Sequence, residues 1–334
     1  MQLHSKIFVA GHLGLVGSAL VRQLQRLGYD NLVLRAREQL DLADSTAVAH
    51  FFATERPEYV FLAAAKVGGI LANATYPVEF LSDNLRIELN VIHEAFRGNA
   101  RRLLFFGSSC VYPKFAPQPI QEIHLLSGPL ESTNRAYALA KIAGIELCWA
   151  YNRQHACQFL AVMPCNLYGK NDHYGLQTSH VVPALLRKFH DATVSGRYTV
   201  QIWGSGTPQR EFLLSDDAAD ASIFLMNLDS TSFCSLLGSH EHPPIVNVGG
   251  GEEISVRELA ELIAEVVGFR GEIVLDFNLP DGTPRKLLDN RILKQLGWTP
   301  KISLREGLRI TYDDFCRRKN TLKDSAAVSA SANL

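Results

Sequence analysis

The chain has 334 residues, 47% of them hydrophobic and 20% charged, with a formal net charge of -1. That length suits one large domain with a smaller lobe rather than a single small core. Lys and Arg are spread along the chain, which argues against nucleic acid or a membrane as the main partner.

The opening MQLHSKIFVAGHLG enters an apolar strand without the charged-then-apolar layout of a secretory leader. No apolar run approaches the length that spans a bilayer. Cys110, Cys148, Cys157, Cys165, Cys234 and Cys316 form no CxxC pair and no metal-like spacing with His. No metal is expected, and a reduced cytoplasmic protein with free thiols is the economical reading.

In chain order, KIFVAG reads as a strand. SALVRQLQRLG reads as a helix with Leu20, Val21, Leu24 and Leu27 on one face, closed by Gly28. NLVLR is a second strand, and STAVAHFFATERP a second helix stopped by Pro57. YVFLAAA, the long helical PVEFLSDNLRIELNVIHEAFRG, RLLFFGSS, the helix AYALAKIAGIELCWAYNRQ and the strand CQFLAVMP continue the alternation. Such alternation predicts an α/β fold, a Rossmann-type doubly wound parallel sheet over residues 1–165, with later segments crossing back. After Pro164, loops rich in Gly, Asn, His and Pro separate shorter elements, among them GSHEHPPIVNVGGGEE. A smaller C-terminal substrate-binding lobe over 166–320 is expected. The small, polar tail 321–334 is expected to be disordered.

Gly11, Gly14 and Gly17 lie between the first strand and the first helix at GxxGxxG spacing. Glycines there let the backbone approach a pyrophosphate at the positive helix end. NAD sites usually close the second strand with an acid for the ribose 2'-hydroxyl, but here LVLRAREQLDL offers Arg35 and Arg37. A guanidinium suits a 2'-phosphate, so NADP is the expected cofactor, with Asp41 and Leu42 flanking the adenine.

AYALAKIAG places Tyr137 and Lys141 on one helical face. A phenol titrates near 10 when unperturbed, and a neighbouring ammonium with a cationic nicotinamide is expected to lower that value. Such a tyrosine can shuttle a proton to a carbonyl oxygen, and Ser108, at a strand end, can hold the same oxygen.

Gly11, Gly14, Gly17, Ser108, Tyr137 and Lys141 together resemble the extended short-chain dehydrogenase/reductase family. AAAKVGGI, GSSCVYPK, YALAKIAGIELC, MPCNLYG, SHVVPALLRKFH, WGSGTPQREF and PDGTPRKLLD narrow the resemblance to the GDP-L-fucose synthase family, from about residue 6 to residue 318. The resemblance implies an NADPH-dependent enzyme that inverts C3 and C5 of GDP-4-keto-6-deoxy-D-mannose and then reduces the C4 ketone. It assigns carbon acid/base work to Cys110 and His180. It places the cofactor on Gly11, His12, Leu13, Gly14, Leu15, Val16, Gly17, Arg37, Asp41, Leu42, Lys141, Pro164, Cys165, Asn166, Leu167 and His180. Asn166, Lys188, Trp203, Arg210 and Asp281 fall on the GDP-sugar, and a homodimer paired through two long helices is implied.

Two positions depart from the family pattern: Leu13, where members often carry Arg, and Cys165, where Thr is usual. A sugar-nucleotide 4,6-dehydratase would show Asp-Glu where this chain has Ser109-Cys110, and a plain 4-epimerase needs neither Cys110 nor His180. A related epimerase/reductase of another GDP-4-keto sugar, such as a GDP-L-colitose synthase, stays open, as does a non-catalytic NADP-binding protein.

Overall fold

Short apolar runs bounded by turn residues become buried strands, and the longer amphipathic runs become the helices that cover them. A computed structural model describes residues 1–175, 179–278, 281 and 283–331, with backbone alone for Ile70 and for 320–331. In chain order the first elements are β1 (Ile7–Ala10), α1 (Leu15–Arg26), β2 (Leu32–Val33), α2 (Ser45–Glu55), β3 (Tyr59–Leu62) and α3 (Ile70–Thr75). Then come α4 (Pro77–Arg97), β4 (Arg102–Phe106), α5 (Arg135–His155), β5 (Phe159–Pro164), β6 (Asn166–Tyr168), α6 (Val181–Ser195), β7 (Thr199–Trp203) and β8 (Gln209–Leu214). The rest are α7 (Ser215–Asn227), α8 (Ser230–Cys234), β9 (Ile245–Val248), β10 (Glu253–Ser255), α9 (Val256–Val267), β11 (Glu272–Asp276), β12 (Arg285–Lys286), α10 (Arg291–Gln295) and α11 (Leu304–Ser331).

Six strands form one parallel sheet in the order β2-β1-β3-β4-β5-β9. Strands β1, β3, β4, β5 and β9 are buried along their whole length, which requires cover on both faces. Helices α1 and α7 pack together as one group, and α2, α4 and α5 as another. The doubly wound Rossmann-type fold expected from the alternation is therefore present.

The sixth strand lies inside a segment read from sequence as a loop. Ile245–Val248 pairs with β5 from Ala161↔Ile245 to Pro164↔Val248. Four residues between prolines and glycines carry little periodicity, so the pairing partner decides this strand. It is pinned by buried Asn247, which accepts from the Tyr112 hydroxyl at 2.7 Å and donates to the Ile120 carbonyl at 2.9 Å.

The later segments build a second apolar cluster from Leu186, Phe189, Ile202, Leu259, Ile263 and Leu308, among others. Above it β10-β8-β12 form a small sheet with β6 joined to β8, and β7 pairs with β11. The backbone of α11 runs to Ser331, through most of the tail expected to be disordered, and 332–334 lie outside the described residues. Several alanines, the strongest helix formers, favour that continuation. No helix among the described residues is long and apolar enough to cross a membrane.

Candidate active site

Parallel strands end on one edge, so the residues that follow them share a cleft. The first contributor is the turn after β1. Gly11 has φ +84°, and a Cβ there would approach the Ala64 backbone to 2.7 Å. Gly17 lies inside the first turn of α1, where a Cβ would collide with the Gly11 carbonyl oxygen. Gly14 is the N-cap, with no side chain satisfying the helix amides. Side chains at Gly11 and Gly17 would fill this cradle, an open helix N-terminus faces it, and the residues fit a dinucleotide phosphate. Leu13 is 66% exposed on the turn and adds no polar group.

Strand β2 stops at Val33, earlier than expected, and the two arginines beyond it diverge. Arg35 is committed to Glu55 at 2.6 Å. Arg37 is 81% exposed and only loosely paired with Asp41 at 3.8 Å. Asn90 donates to the Leu42 carbonyl at 2.9 Å and fixes that stretch beside α4.

The turn after β4 carries the second group. Ser108 caps a single 3-10 turn, Ser109–Val111, by accepting from the Cys110 amide at 3.2 Å. That turn swings the Cys110 side chain back toward the start of α5, where Tyr137 sits. The Tyr137 phenol is crowded by Cys110 and Glu88 and hydrogen-bonded to Ser108. Burial chiefly, and those two acidic neighbours next, push it above its ordinary value, with the Ser108 bond opposing. Burial is the largest cause of that rise, and the Lys141 ammonium beside the phenol is itself paired with Glu88. Lys141 Nζ lies 3.1 Å from Glu88 Oε1, with both side chains 2% exposed. It also stands 4.6 Å over the Phe105 ring and 5.8 Å over the Tyr137 ring. Burial raises Glu88 to about 7, with Lys141 holding it from going higher. The pair needs Gly144: a Cβ there would come within 2.6 Å of Phe105 and 2.9 Å of Glu88.

The third group comes from the later segments. Asn166, just past β5, donates to the Glu211 carbonyl at 2.9 Å, between buried Pro164 and Cys165 on one side and half-buried Leu167 on the other. His180 stands at the N-cap position of α6, with no side-chain hydrogen bond to the helix amides. Loss of hydration, then the charges of Lys286 and His173, push its imidazole below the usual value. Arg210 on β8 pairs in register with Lys286 on β12, and its electrostatic neighbours include Asp281 and Cys110. Lys188 lies 5.5 Å over the Trp203 ring and donates to the Gln201 carbonyl at 3.1 Å. Asp281 accepts from the Ser205 amide and hydroxyl at 2.9 and 2.8 Å, while its neighbours Pro280 and Gly282 lie outside the described residues. Thus Ser108, Cys110, Tyr137, Lys141 and Arg210 converge, whereas Lys188 and Trp203 form a separate pair on α6 and β7.

A family model described as the NAD dependent epimerase/dehydratase family matches residues 7–249. The chain belongs to this family. A putative GDP-L-fucose synthase 2 of Arabidopsis thaliana is 56% identical over 313 residues, 94% of this chain and 92% of the relative. The GDP-L-fucose synthase of Escherichia coli (strain K12) is 52% identical over 318 residues, 95% and 98% of the two chains. A GDP-L-colitose synthase of Yersinia pseudotuberculosis is more distant, 36% identical over 316 residues, 94% and 99% of the two chains. A solved GDP-mannoheptose C4 reductase from Campylobacter jejuni with NADP bound superposes with a TM-score of 0.83 at 39% identity, covering 94% and 99% of the two chains. The family binds a nicotinamide cofactor, which the glycine cradle fits.

Three polar residues of this family site escape a reading of the sequence. Glu88 shares a helix face with Asn84, Val91, Ile92 and Ala95, and a charge on such an apolar stripe was the available signal. Lys286 lies within the distinctive PDGTPRK stretch, and Asn134 stands three residues before Tyr137. Among these, Glu88 has a measurable signature. Its folded value is raised, so its contribution to stability is complete below pH 4.5 and is lost as pH rises through about 7. Wild-type unfolding free energy, read by urea titration, is expected to fall over that window by roughly 2–3 kcal/mol more than that of Glu88→Gln. Parallel pH profiles would show that the carboxylate is not desolvated as described.

Proposed function

We propose that this chain is a bifunctional GDP-L-fucose synthase. It epimerises GDP-4-keto-6-deoxy-D-mannose at C3 and C5, then reduces the C4 ketone. The observation that carries this reading is the Cys110 thiol, held in the 3-10 turn that Ser108 caps and contacted by Asn134 at the start of the helix that bears Tyr137 and Lys141. A simple ketone reductase needs Ser108, Tyr137 and Lys141, and no thiol beside them. The higher identity to GDP-L-fucose synthases than to the GDP-L-colitose synthase favours the 6-deoxymannose substrate.

The chemistry follows from the ketone. Protons on C3 and C5 are α to it, and an enediolate gains from donors at the ketone oxygen. Ser108 and Tyr137 supply those donors. Cys110 and His180 exchange protons with C3 and C5 from opposite faces of the ring. NADPH, when bound, supplies the hydride for C4. Tyr137 then gives its proton to the C4 oxygen, a task suited to a phenol that burial keeps protonated. Lys141, held by Glu88, orients the tyrosine and the nicotinamide ribose. Asn166, Lys188, Trp203, Arg210 and Asp281 hold the GDP-sugar, with the cations on its phosphates.

NADP rather than NAD is favoured by Arg37, which is free to meet a 2'-phosphate while Arg35 is not. A cytoplasmic setting goes with six cysteines that are all free thiols. A homodimer is supported by the exposed Tyr76, Val78, Leu85, Leu89 and Leu139, which lie on or beside α4 and α5.

Three outcomes are expected. With substrate and NADPH in D2O, NMR should show GDP-L-fucose deuterated at C3 and C5, and Cys110→Ser should slow that exchange at least 100-fold. Reduction without exchange at either carbon would reduce the chain to a C4 reductase, and exchange at C5 alone to a 5-epimerase. Arg37→Ala should lower kcat/KM for NADPH about tenfold and leave that for NADH unchanged, since one guanidinium–phosphate contact contributes about 1–2 kcal/mol. Sedimentation equilibrium should give twice the chain mass, and Leu89→Arg should shift it to the monomer.

A further inference from the structure

The surroundings of the Cys110 sulfur carry an assignment beyond the acid/base pair. Asn134 Nδ2 donates to Sγ at 3.3 Å. Lys286 Nζ lies 3.7 Å from the same atom. The donors arrive from different parts of the chain, Asn134 from the N-cap of α5 and Lys286 from the edge strand β12. A thiol sulfur is a weak acceptor, whereas a thiolate is a strong one and gains further from an adjacent ammonium.

Asn134 is unusual in what it forgoes. Asn is among the best helix N-caps, because its side-chain oxygen can accept from the first-turn amides. At the start of α5 it caps nothing, and its Oδ1 is buried without a hydrogen-bond partner. Its useful contact is the amide nitrogen on sulfur.

We propose that Asn134 and Lys286 are positioning residues that hold Cys110 as a thiolate facing the cleft, ready to take a proton from carbon. This rests on the reading of Cys110 as a carbon base.

The test uses the full chain and two readouts at pH 7. One is the alkylation rate of Cys110 by iodoacetamide, followed by peptide mass spectrometry so that the other cysteines do not contribute. The other is deuterium uptake at C3 and C5 of the substrate. Asn134→Asp and Lys286→Met are each expected to slow Cys110 alkylation at least tenfold and to slow exchange in proportion. Lys286→Arg, which keeps the cation, should retain most of both rates. Should Asn134→Asp fail to fold, the Lys286 pair tests the proposal alone. Wild-type alkylation in Asn134→Asp and Lys286→Met, with exchange abolished in Cys110→Ser, would overturn the positioning roles and leave the base reading standing. Wild-type exchange in Cys110→Ser would instead overturn the base reading and with it this proposal.

Discussion

Parallel strand pairing is the constraint on which the site depends. Six strands running the same way place the carboxyl ends of β1, β4 and β5 on one edge, and the residues that follow them are Gly11, Ser108 and Asn166. None of these is near another in sequence, yet all are delivered to one cleft by the same register. The crossovers that parallel pairing demands also supply α4 and α5, whose packing carries Glu88 and Lys141 into the site from beneath.

Charge compensation then decides how each site group behaves. A lysine as buried as Lys141 would be destabilising alone, and Glu88 makes its burial tolerable. A second ammonium, Lys286, lies 3.7 Å from Cys110 Sγ and pairs in register with Arg210, which has Asp281 and Cys110 as charged neighbours. The cleft is thus a set of partly desolvated ions in local balance, and small displacements within it would change protonation more than shape.

Much of this was legible in one dimension because it is local or periodic. The strand–helix alternation, the glycine turn and the Tyr137–Lys141 spacing each lie within one element and its neighbour. The resemblance carried over Cys110 and His180, which spacing alone could not have joined. The polar partners were not legible for a different reason. Glu88, Asn134 and Lys286 act on residues tens to more than a hundred positions away, and no periodicity relates them. Strand β9 was hidden likewise, because its four residues become a strand only where β5 offers an edge.

The sequence by itself determined the fold class, the glycine turn and the shared helix face of Tyr137 and Lys141, since backbone sterics at Gly11 and helical spacing are properties of short segments. The tertiary structure alone decided the state of those groups. Whether Tyr137 is raised or lowered depends on how deeply it is buried and on a carboxylate from α4. The Cys110 sulfur meets two nitrogens brought to it from other elements. Burial and long-range proximity set ionisation, and neither is written in local sequence.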